Sequence, residues 1–291
     1  LHYGYCKSID AIPMTPDGKP TPAILTKVAL EAASIPSFVI NAGSKIPPKL
    51  PYLELGLEPG KNIAQEPALD QELTRKAVEY GRIIGRSLGS STDCLVIGES
   101  IPGGTTTALG VLRGLGVQAS VSSSMPQNPV DLKNQTVETA LKRLQSRDPY
   151  DIVTQLGDPM IPSVAGILSA ASESTNVILA GGTQMAAVLA FAKHTGFNEN
   201  NIAIGTTSYI VDDKTANLVE MIRQISDIPI FAAKLKLGAS KISGLRSYAE
   251  GFVKEGAGAG GASIAYMLKT GLDAEKLLSL TENEYRRVTS Q

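Results

Sequence analysis

The sequence is poor in the residues that build disulfide frameworks and metal centres. Its 291 residues include two cysteines, Cys6 and Cys94, and two histidines. These counts exclude a disulfide framework and a thiolate metal site, and they make a multi-histidine site or a serine–histidine pair hard to build. Asp17 and Asp158 could bind a cation, but no pattern gives them metal-ligand spacing. We therefore predict no metal and no cofactor, and we expect any general base to be a carboxylate.

The sequence also has no excess of positive or negative charge, no tryptophan and no long apolar run. The formal net charge is −1, there is no tryptophan, and only 5% of the residues are aromatic. This composition gives no argument for a nucleic-acid partner. Because no apolar run is long enough to span a bilayer and no signal peptide is evident, we predict a soluble, cytoplasmic protein without a membrane partner. The chain starts at Leu1 without a methionine, so we expect residues to be missing before it.

Strands and helices alternate from residue 94 onward, which is typical of parallel βαβ units. The apolar runs predict strands over 94–97, 119–122, 177–180, 201–205 and 228–232, with a further short strand over 37–40. The helical patterns cover 21–33, 70–88, 105–115, 129–144 (with Asn128 as its N-cap), 163–172 and 215–225, together with a helix that ends near 193 and a last long helix that ends near 270. We predict an α/β fold with a three-layer, mostly parallel, Rossmann-like sheet flanked by helices. Residues 1–90 are expected to form a proline-rich N-terminal arm or small subdomain, and residues 91–291 a nucleotide-binding catalytic domain.

One stretch, residues 94–109, organises the expected site. A buried strand ends at a turn that contains Gly98, Gly103 and Gly104, and Thr105 and Thr106 then open a helix. Unpaired N–H groups and the helix dipole converge at such a start, so it is typical of an anion site. Glu99 lies in the same turn. The turn has neither the lysine of a Walker A loop nor the glycine spacing of a dinucleotide fingerprint, and packing alone could explain its glycines.

Three later turns should lie at the same edge of the sheet, because the carboxyl ends of parallel strands meet there. They contain Gly157-Asp158, Gly181-Gly182 and Lys254-Glu-Gly-Ala-Gly-Ala-Gly-Gly261. The helix start after Glu255 should keep that carboxylate ionised and ready to accept a proton, although an isolated glutamate here is more commonly a solvated cap. Gly256 and Gly258 favour either a ligand or tight helix packing. Lys133 could reach a phosphate, although surface lysines are the commoner case.

In their order these motifs resemble the nicotinate-nucleotide:dimethylbenzimidazole phosphoribosyltransferases, and most of all their archaeal and cyanobacterial branch. Gly98-Glu-Ser-Ile-Pro-Gly-Gly-Thr-Thr-Thr-Ala108 is similar to the family's Gly-Glu-Met-Gly-Ile-Gly-Asn-Thr-Thr loop, and Lys254-Glu-Gly-Ala-Gly-Ala259 to its Gly-Glu-Gly-Ser-Gly-Ala segment. The helix of Lys133 and the turn at Gly157 also have counterparts. The resemblance covers about residues 94–270. Asp158 stands where the family has a second phosphate-binding glycine, and Pro102 departs from the family loop.

The resemblance implies transfer of 5-phosphoribose from nicotinate mononucleotide to a dimethylbenzimidazole-like base, giving an α-ribazole phosphate for cobamide synthesis. It implies Glu255 as the catalytic base and Glu99 as a supporting acid. It also implies a phosphate and nucleotide site, made of Gly103, Gly104, Thr105, Thr106, Lys133, Gly157, Asp158, Gly181, Gly182, Gly256 and Gly258. Family precedent suggests a homodimer. Two alternatives stay open, namely transfer to another acceptor such as a phenol or a purine, and a non-catalytic nucleotide-binding protein.

Overall fold

The computed structural model describes Met14 and residues 19–289 of the chain. The predictions that involve His2, Cys6 and Asp17, and most of the proline-rich loop over 10–22, lie outside the described residues.

A four-stranded parallel sheet forms the centre of the described structure. Its strands are β3 (Cys94–Gly98), β4 (Asn176–Ala180), β5 (Ile202–Thr207) and β6 (Ile230–Ala233), and they lie side by side in that order. All three strand pairs are parallel, with Gly98 opposite Ala180 and Ala180 opposite Gly205. Two earlier two-residue strands, β1 (Ile40–Asn41) and β2 (Leu53–Glu54), form a separate parallel pair. The shared direction brings the carboxyl ends of β3, β4 and β5 to one edge.

Twelve helices are present in the described part of the chain, and they connect and cover the strands. They are α1 (Ala23–Ala32), α2 (Gln71–Gly89), α3 (Gly104–Gly114), α4 (Val130–Leu141), α5 (Pro149–Leu156), α6 (Met160–Ala171), α7 (Thr183–Thr195), α8 (Ser208–Val211), α9 (Leu218–Ile225), α10 (Ser243–Arg246), α11 (Ala259–Thr270) and α12 (Ala274–Thr289). No helix among the described residues is both long and apolar enough to cross a membrane.

Helices pack on both faces of the sheet because its strands are apolar on both sides. Ile97, Leu179 and Ile204 face a core that also contains α3, α6, α7 and α9. Ile178 and its neighbour in β3, Val96, face a second core that contains α1, α11 and α12. The predicted three-layer α/β architecture with a parallel sheet is confirmed.

Both helices of the N-terminal region pack into these layers. Helix α1 lies against α11, and α2 lies along α6 at a distance that only small residues allow. A Cβ atom on Gly81 of α2 would stand 2.2 Å from the Ser163 carbonyl oxygen, and one on Gly166 of α6 would stand 2.2 Å from the Val78 carbonyl oxygen. Residues on the two sides of position 90 are therefore in close contact. The predicted domain boundary at residue 90 stays a prediction.

The strand predicted over 119–122 is wrong. This segment is irregular, and side-chain amides take the place of a neighbouring strand. The N–H of Ser120 donates to the Asn217 side chain at 2.7 Å, and the Asn128 amide donates to the Val121 carbonyl at 2.8 Å. The prediction that Asn128 is the N-cap of α4 is therefore wrong. Pro129 holds that position, and no side chain caps the helix. An apolar run alone does not reveal that a segment pairs with side chains instead of backbone.

Two further predictions need correction at the edges of the fold. Cys94 is exposed and not buried, and it is the first residue of β3, which is an edge strand of the sheet. The helix that ends at Thr270 is not the last one, since α12 follows it. Leu277 and Thr281 are buried one turn apart in α12, and the Asp273 carboxylate accepts from the Lys276 N–H, a start signal that is visible in the sequence.

Candidate functional site

The turns after β3 and β4 and the glycine-rich loop before α11 meet at the carboxyl edge of the sheet. The loop before α11 follows α10 and not a strand of the sheet, unlike the prediction. A Cβ atom on Gly98 would lie 2.9 Å from the Gly258 Cα, so the turn after β3 contacts the start of α11 directly. The Gly181 N–H donates to the Gly205 carbonyl at 2.9 Å, which joins the ends of β4 and β5. The Gly157-Asp158 turn connects α5 to α6, and it reaches the same edge because the Asp158 carboxyl lies near Glu99.

Glu255 lies at the centre of this edge and is held by backbone N–H groups. Its carboxylate accepts from Gly256 at 3.0 Å, from Thr207 at 3.1 Å and from Gly260 at 3.2 Å. These bonds favour the ionised form, as expected for a helix start. Burial nevertheless raises the pKa of Glu255 to about 7, and the backbone hydrogen bonds only limit that rise. The carboxylate is thus not permanently ionised, and its proton is exchangeable near neutral pH.

Glu99 is buried beside Glu255. Burial raises the pKa of Glu99 to about 8, the nearby Asp158 and Glu255 carboxyl groups add to the rise, and the Ile101 N–H opposes it. Only 9% of the residue is exposed. At neutral pH Glu99 therefore carries a proton and can donate a hydrogen bond, and it does not offer a fixed negative charge.

The raised pKa of Glu99 predicts a pH-dependent gain in stability for Glu99→Gln. The unfolded chain releases this proton near pH 4.5 and the folded chain near pH 8, so folding becomes less favourable as the pH rises between these values. Glutamine does not titrate. The melting temperature of the Glu99→Gln variant should match that of the wild type at pH 4 and exceed it by about 5 °C at pH 8.

Thermal melts of both proteins across this pH range check that expectation. Glu79→Gln, a change at an exposed position on α2, is the control and should give no pH-dependent difference. A constant difference between wild type and Glu99→Gln at all pH values would rule out a desolvated carboxyl at position 99.

Asp158 is the third acid of the group, and its side chain is engaged in structural bonds. One carboxylate oxygen accepts from the Thr107 hydroxyl at 2.6 Å, and the other accepts from the Met160 and Ile161 N–H groups at the start of α6. Burial raises the pKa of Asp158 despite these bonds. The side chain thus joins α3 to α6, and its polar atoms are turned to these helices.

The start of α3 has the features of an anion site that the sequence predicts. Gly103 precedes the helix with a φ of +73°, and no side chain caps the free N–H groups. Gly104 is buried against the Gln184 side chain, whereas Thr105 and Thr106 are partly exposed. The Thr106 N–H turns back to the Gly103 carbonyl. Two threonine hydroxyls therefore stand at an uncapped helix start next to Glu99.

The remaining glycines of the predicted site serve close packing. A Cβ atom on Gly157 would lie 2.7 Å from the Val153 carbonyl oxygen, and one on Gly181 would lie 2.8 Å from Met185. Gly258 fits between Gly98 and Ala180, Gly256 lies against Pro22, and Gly182 is in ordinary contact with Ile210. Tight packing, which the sequence left open, explains most of these positions without a ligand.

Lys133 lies in a second group of charged residues, which we call the cationic group and which consists of Lys133, Lys254 and Asp213. Its ammonium donates to the Ser122 carbonyl at 2.6 Å and to the Asn128 side chain at 2.9 Å. Burial lowers the pKa of Lys133 to about 8, and the neighbouring Lys254 lowers it further, whereas Asp213 opposes the shift. Lys133 is therefore a buried side chain with structural bonds, and no described contact joins it to Thr105 or Thr106.

Sequence reasoning missed the partner that organises this cationic group. Asp213 accepts from the Lys254 ammonium and from the Ser122 hydroxyl, both at 2.6 Å. Burial alone would raise the pKa of Asp213, but the hydrogen bonds from Lys254, Ser122 and Thr215 outweigh it and hold the pKa at about 2. A single aspartate in a polar loop carries no signal of its own. Among the described residues there is also no cluster of three or more histidine, cysteine or acidic side chains suited to a metal.

The sequence of this chain matches one protein-family model over more than half of its length. The model is described as Phosphoribosyltransferase, and it matches residues 28–212. This match begins before the motif resemblance, which covers about residues 94–270, and it ends before Glu255.

Archaeal UPF0284 proteins are similar to this chain over nearly its whole length. One from Archaeoglobus fulgidus is 48% identical over 289 residues, covering 99% of this chain and 82% of the relative. One from Sulfurisphaera tokodaii is 45% identical over 292 residues, with coverages of 99% and 82%.

Two solved structures from Thermus thermophilus share the fold. The nicotinate-nucleotide-dimethylbenzimidazole phosphoribosyltransferase has a TM-score of 0.62 at 19% identity, covering 88% of this chain and 71% of that one. The structure named CobT has a TM-score of 0.59 at 19% identity, with coverages of 89% and 77%. At this identity the likeness concerns the arrangement of the layers.

Proposed function

This chain belongs to the phosphoribosyltransferase family, and we propose that it transfers the 5-phosphoribosyl group of nicotinate mononucleotide to a benzimidazole-like base. The product is then an α-ribazole phosphate of the kind used in cobamide synthesis. The motifs of the site support this choice, as does the fold shared with an enzyme named for that reaction. The reaction requires no cofactor.

The observation that carries the proposal is the state of Glu255. Three backbone N–H groups fix its carboxylate in one orientation, while burial holds its pKa at about 7. A general base works best when its pKa lies near the working pH, because it is then both ionised and basic enough to take a proton. Neither property is expected of a solvated cap residue.

In the proposed mechanism the acceptor base approaches the anomeric carbon while Glu255 removes its N–H proton. The acceptor nitrogen forms a bond to that carbon, and the bond from the carbon to the nicotinate ring nitrogen breaks. The electron pair of the broken bond returns to the ring nitrogen, which neutralises the pyridinium, so the leaving group needs no strong acid. Protonated Glu99, buried beside Glu255, then orients the acceptor by a hydrogen bond. Holding the two reactants in line supplies much of the reduction in barrier.

We further propose that the phosphate binds at the start of α3. The helix start without a side-chain cap and the hydroxyls of Thr105 and Thr106 support this placement. The bonds that Asp158 makes to Thr107 and α6 keep its oxygens occupied, which answers the objection that an acid replaces a family glycine. Lys133 and the Gly157 turn, which the family resemblance also assigns to the phosphate, are engaged in structural contacts, so the proposed phosphate site does not depend on them.

The acceptor is tested by incubating the protein with nicotinate mononucleotide and a panel of bases. We expect mass spectrometry to detect a new ribotide and free nicotinate with benzimidazoles. A ribotide formed only with phenols or purines would change the acceptor within the same class. Tight binding of nicotinate mononucleotide without any product would contradict the proposed function and favour a nucleotide-binding protein.

A homodimer is also proposed, and two exposed apolar side chains near β1 support it. Phe38 is 69% exposed and Ile46 is 71% exposed, and an interface between two copies of the chain would cover them.

A further inference from the structure

The segment that carries Glu255 has an unfavourable backbone. Val253 and Ala257, on either side of the glutamate, have φ angles of +45° and +50°. Positive φ is rare for residues other than glycine and is a marked outlier for a β-branched residue such as valine. Such conformations are costly and persist only where the surroundings impose them.

Four contacts impose this conformation. The Val253 N–H donates to the Ser124 carbonyl at 2.8 Å, the Thr207 hydroxyl donates to the Lys254 carbonyl at 2.6 Å, and the Thr26 hydroxyl donates to the Ala257 carbonyl at 2.9 Å. The fourth contact is the ion pair between the Lys254 ammonium and Asp213 at 2.6 Å, with 8% and 6% of the two side chains exposed. Among these it is the only contact that combines opposite charges with burial, where their attraction is least screened.

The same aspartate also fixes the loop that carries the Lys133 partners. Asp213 accepts from the Ser122 hydroxyl, and the Ser122 carbonyl in turn accepts from the Lys133 ammonium. Asp213 therefore contacts both Lys254, which precedes the proposed base, and Ser122, whose loop supplies the hydrogen-bond partners of Lys133.

We propose that Lys254 and Asp213 are positioning residues, and that their ion pair holds Glu255 in its strained, productive orientation and couples it to the loop of Lys133. The inference rests on the proposed function for its catalytic meaning, but the positioning itself is a property of the chain without substrate. Removing the pair lets Val253 relax and lets the Glu255 carboxylate leave the N–H groups of Thr207, Gly256 and Gly260.

Lys254→Met is the test, and Lys27→Met is its matched control. Lys27 forms another buried ion pair, with Glu284 at 3.0 Å, between α1 and α12. Both changes remove one partner of a buried pair and are expected to lower the melting temperature. Hydrogen exchange of the peptide over 253–260, measured on the protein alone, should become about tenfold faster in Lys254→Met and stay unchanged in Lys27→Met.

Turnover provides the second measurement. Lys254→Met should lower kcat by about ten- to a hundredfold, because small displacements of a catalytic group have effects of this size, with a smaller change in the KM for nicotinate mononucleotide. Lys254→Arg keeps the charge and should restore much of the exchange protection. If Lys254→Met melts earlier but exchanges like the wild type over 253–260, the pair is structural only and the inference is wrong.

The two proposals fail in different ways. Absence of turnover in the wild-type protein with every base would overturn the proposed function, whereas the exchange measurement would still decide the positioning role. Normal turnover in Lys254→Met would overturn the positioning role and leave the proposed function intact.

Discussion

Replacing Glu255 by glutamine is expected to lower kcat by at least about a hundredfold, which is the usual contribution of a positioned general base. Glutamine has nearly the same shape and keeps one oxygen that can accept from the N–H groups of Thr207 and Gly260. It cannot take a proton. The dissociation constant for nicotinate mononucleotide should therefore change little, and the loss should be seen in turnover with both substrates saturating.

The pH profile gives this prediction a second readout. Since Glu255 must be ionised to act and its pKa is raised to about 7, wild-type activity should fall as the pH drops below 7. The residual activity of Glu255→Gln should not show this fall in activity below pH 7. Because Glu99 and Glu255 interact, the apparent pKa values belong to the pair and not to either residue alone.

Glu250→Gln is the matched control for this experiment. Glu250 is exposed and lies five residues before the proposed base, so its replacement should leave kcat and the pH profile unchanged. Full turnover of Glu255→Gln with saturating substrates would show that Glu255 is not the base.

Gly260→Ala is expected to have the largest effect on stability. A Cβ atom at this position would stand 2.1 Å from the Thr206 carbonyl carbon, and the groups it meets are backbone atoms of a central strand. They cannot move aside without disturbing the end of β5. Overpacking of this kind costs roughly 1–3 kcal/mol and sometimes more, so we expect a melting temperature lower by at least about 6 °C.

A glycine in ordinary surroundings provides the comparison. Gly60 is exposed, and the atom nearest to a Cβ there would lie 3.5 Å away. Gly60→Ala should melt within about 2 °C of the wild type. Equal melting temperatures for both variants would show that the first turn of α11 does not pack on β5 as described.

The order of strands and helices made the location of the site predictable. Parallel strands place the turns after β3 and β4 at one edge, so the nearness of Glu99 to Gly181 and Gly182 followed from alternation. Glu255 follows no strand, since α10 precedes its loop, and its place beside Glu99 depends on the packing of the start of α11 against the sheet. The ionisation of Glu255 was harder to predict. A helix start argues for the charged form, and only the three-dimensional packing shows that burial raises the pKa against it.

Contacts between side chains and distant backbone could not be predicted from the sequence. The segment over 119–122 alternates apolar and polar residues as a strand does, and the amides of Asn217 and Asn128 that replace strand pairing come from outside it. The pairing of Lys254 with Asp213 likewise joins residues far apart in the chain. The bond from the Thr107 hydroxyl to Asp158 is a further contact of this kind, since it joins α3 to the start of α6.

The contact between Gly98 and Gly258 has a consequence for the order of folding. These residues belong to the first strand of the central sheet and to the start of the second-last helix, so their contact closes most of the chain into one loop. Contacts of such long sequence separation form slowly. The sheet and the layer of α3, α6 and α7 can be in place before α11 arrives. Glu255 can therefore meet Glu99 only once these distant segments have come together, and a chain in which they are still apart does not assemble the proposed catalytic centre.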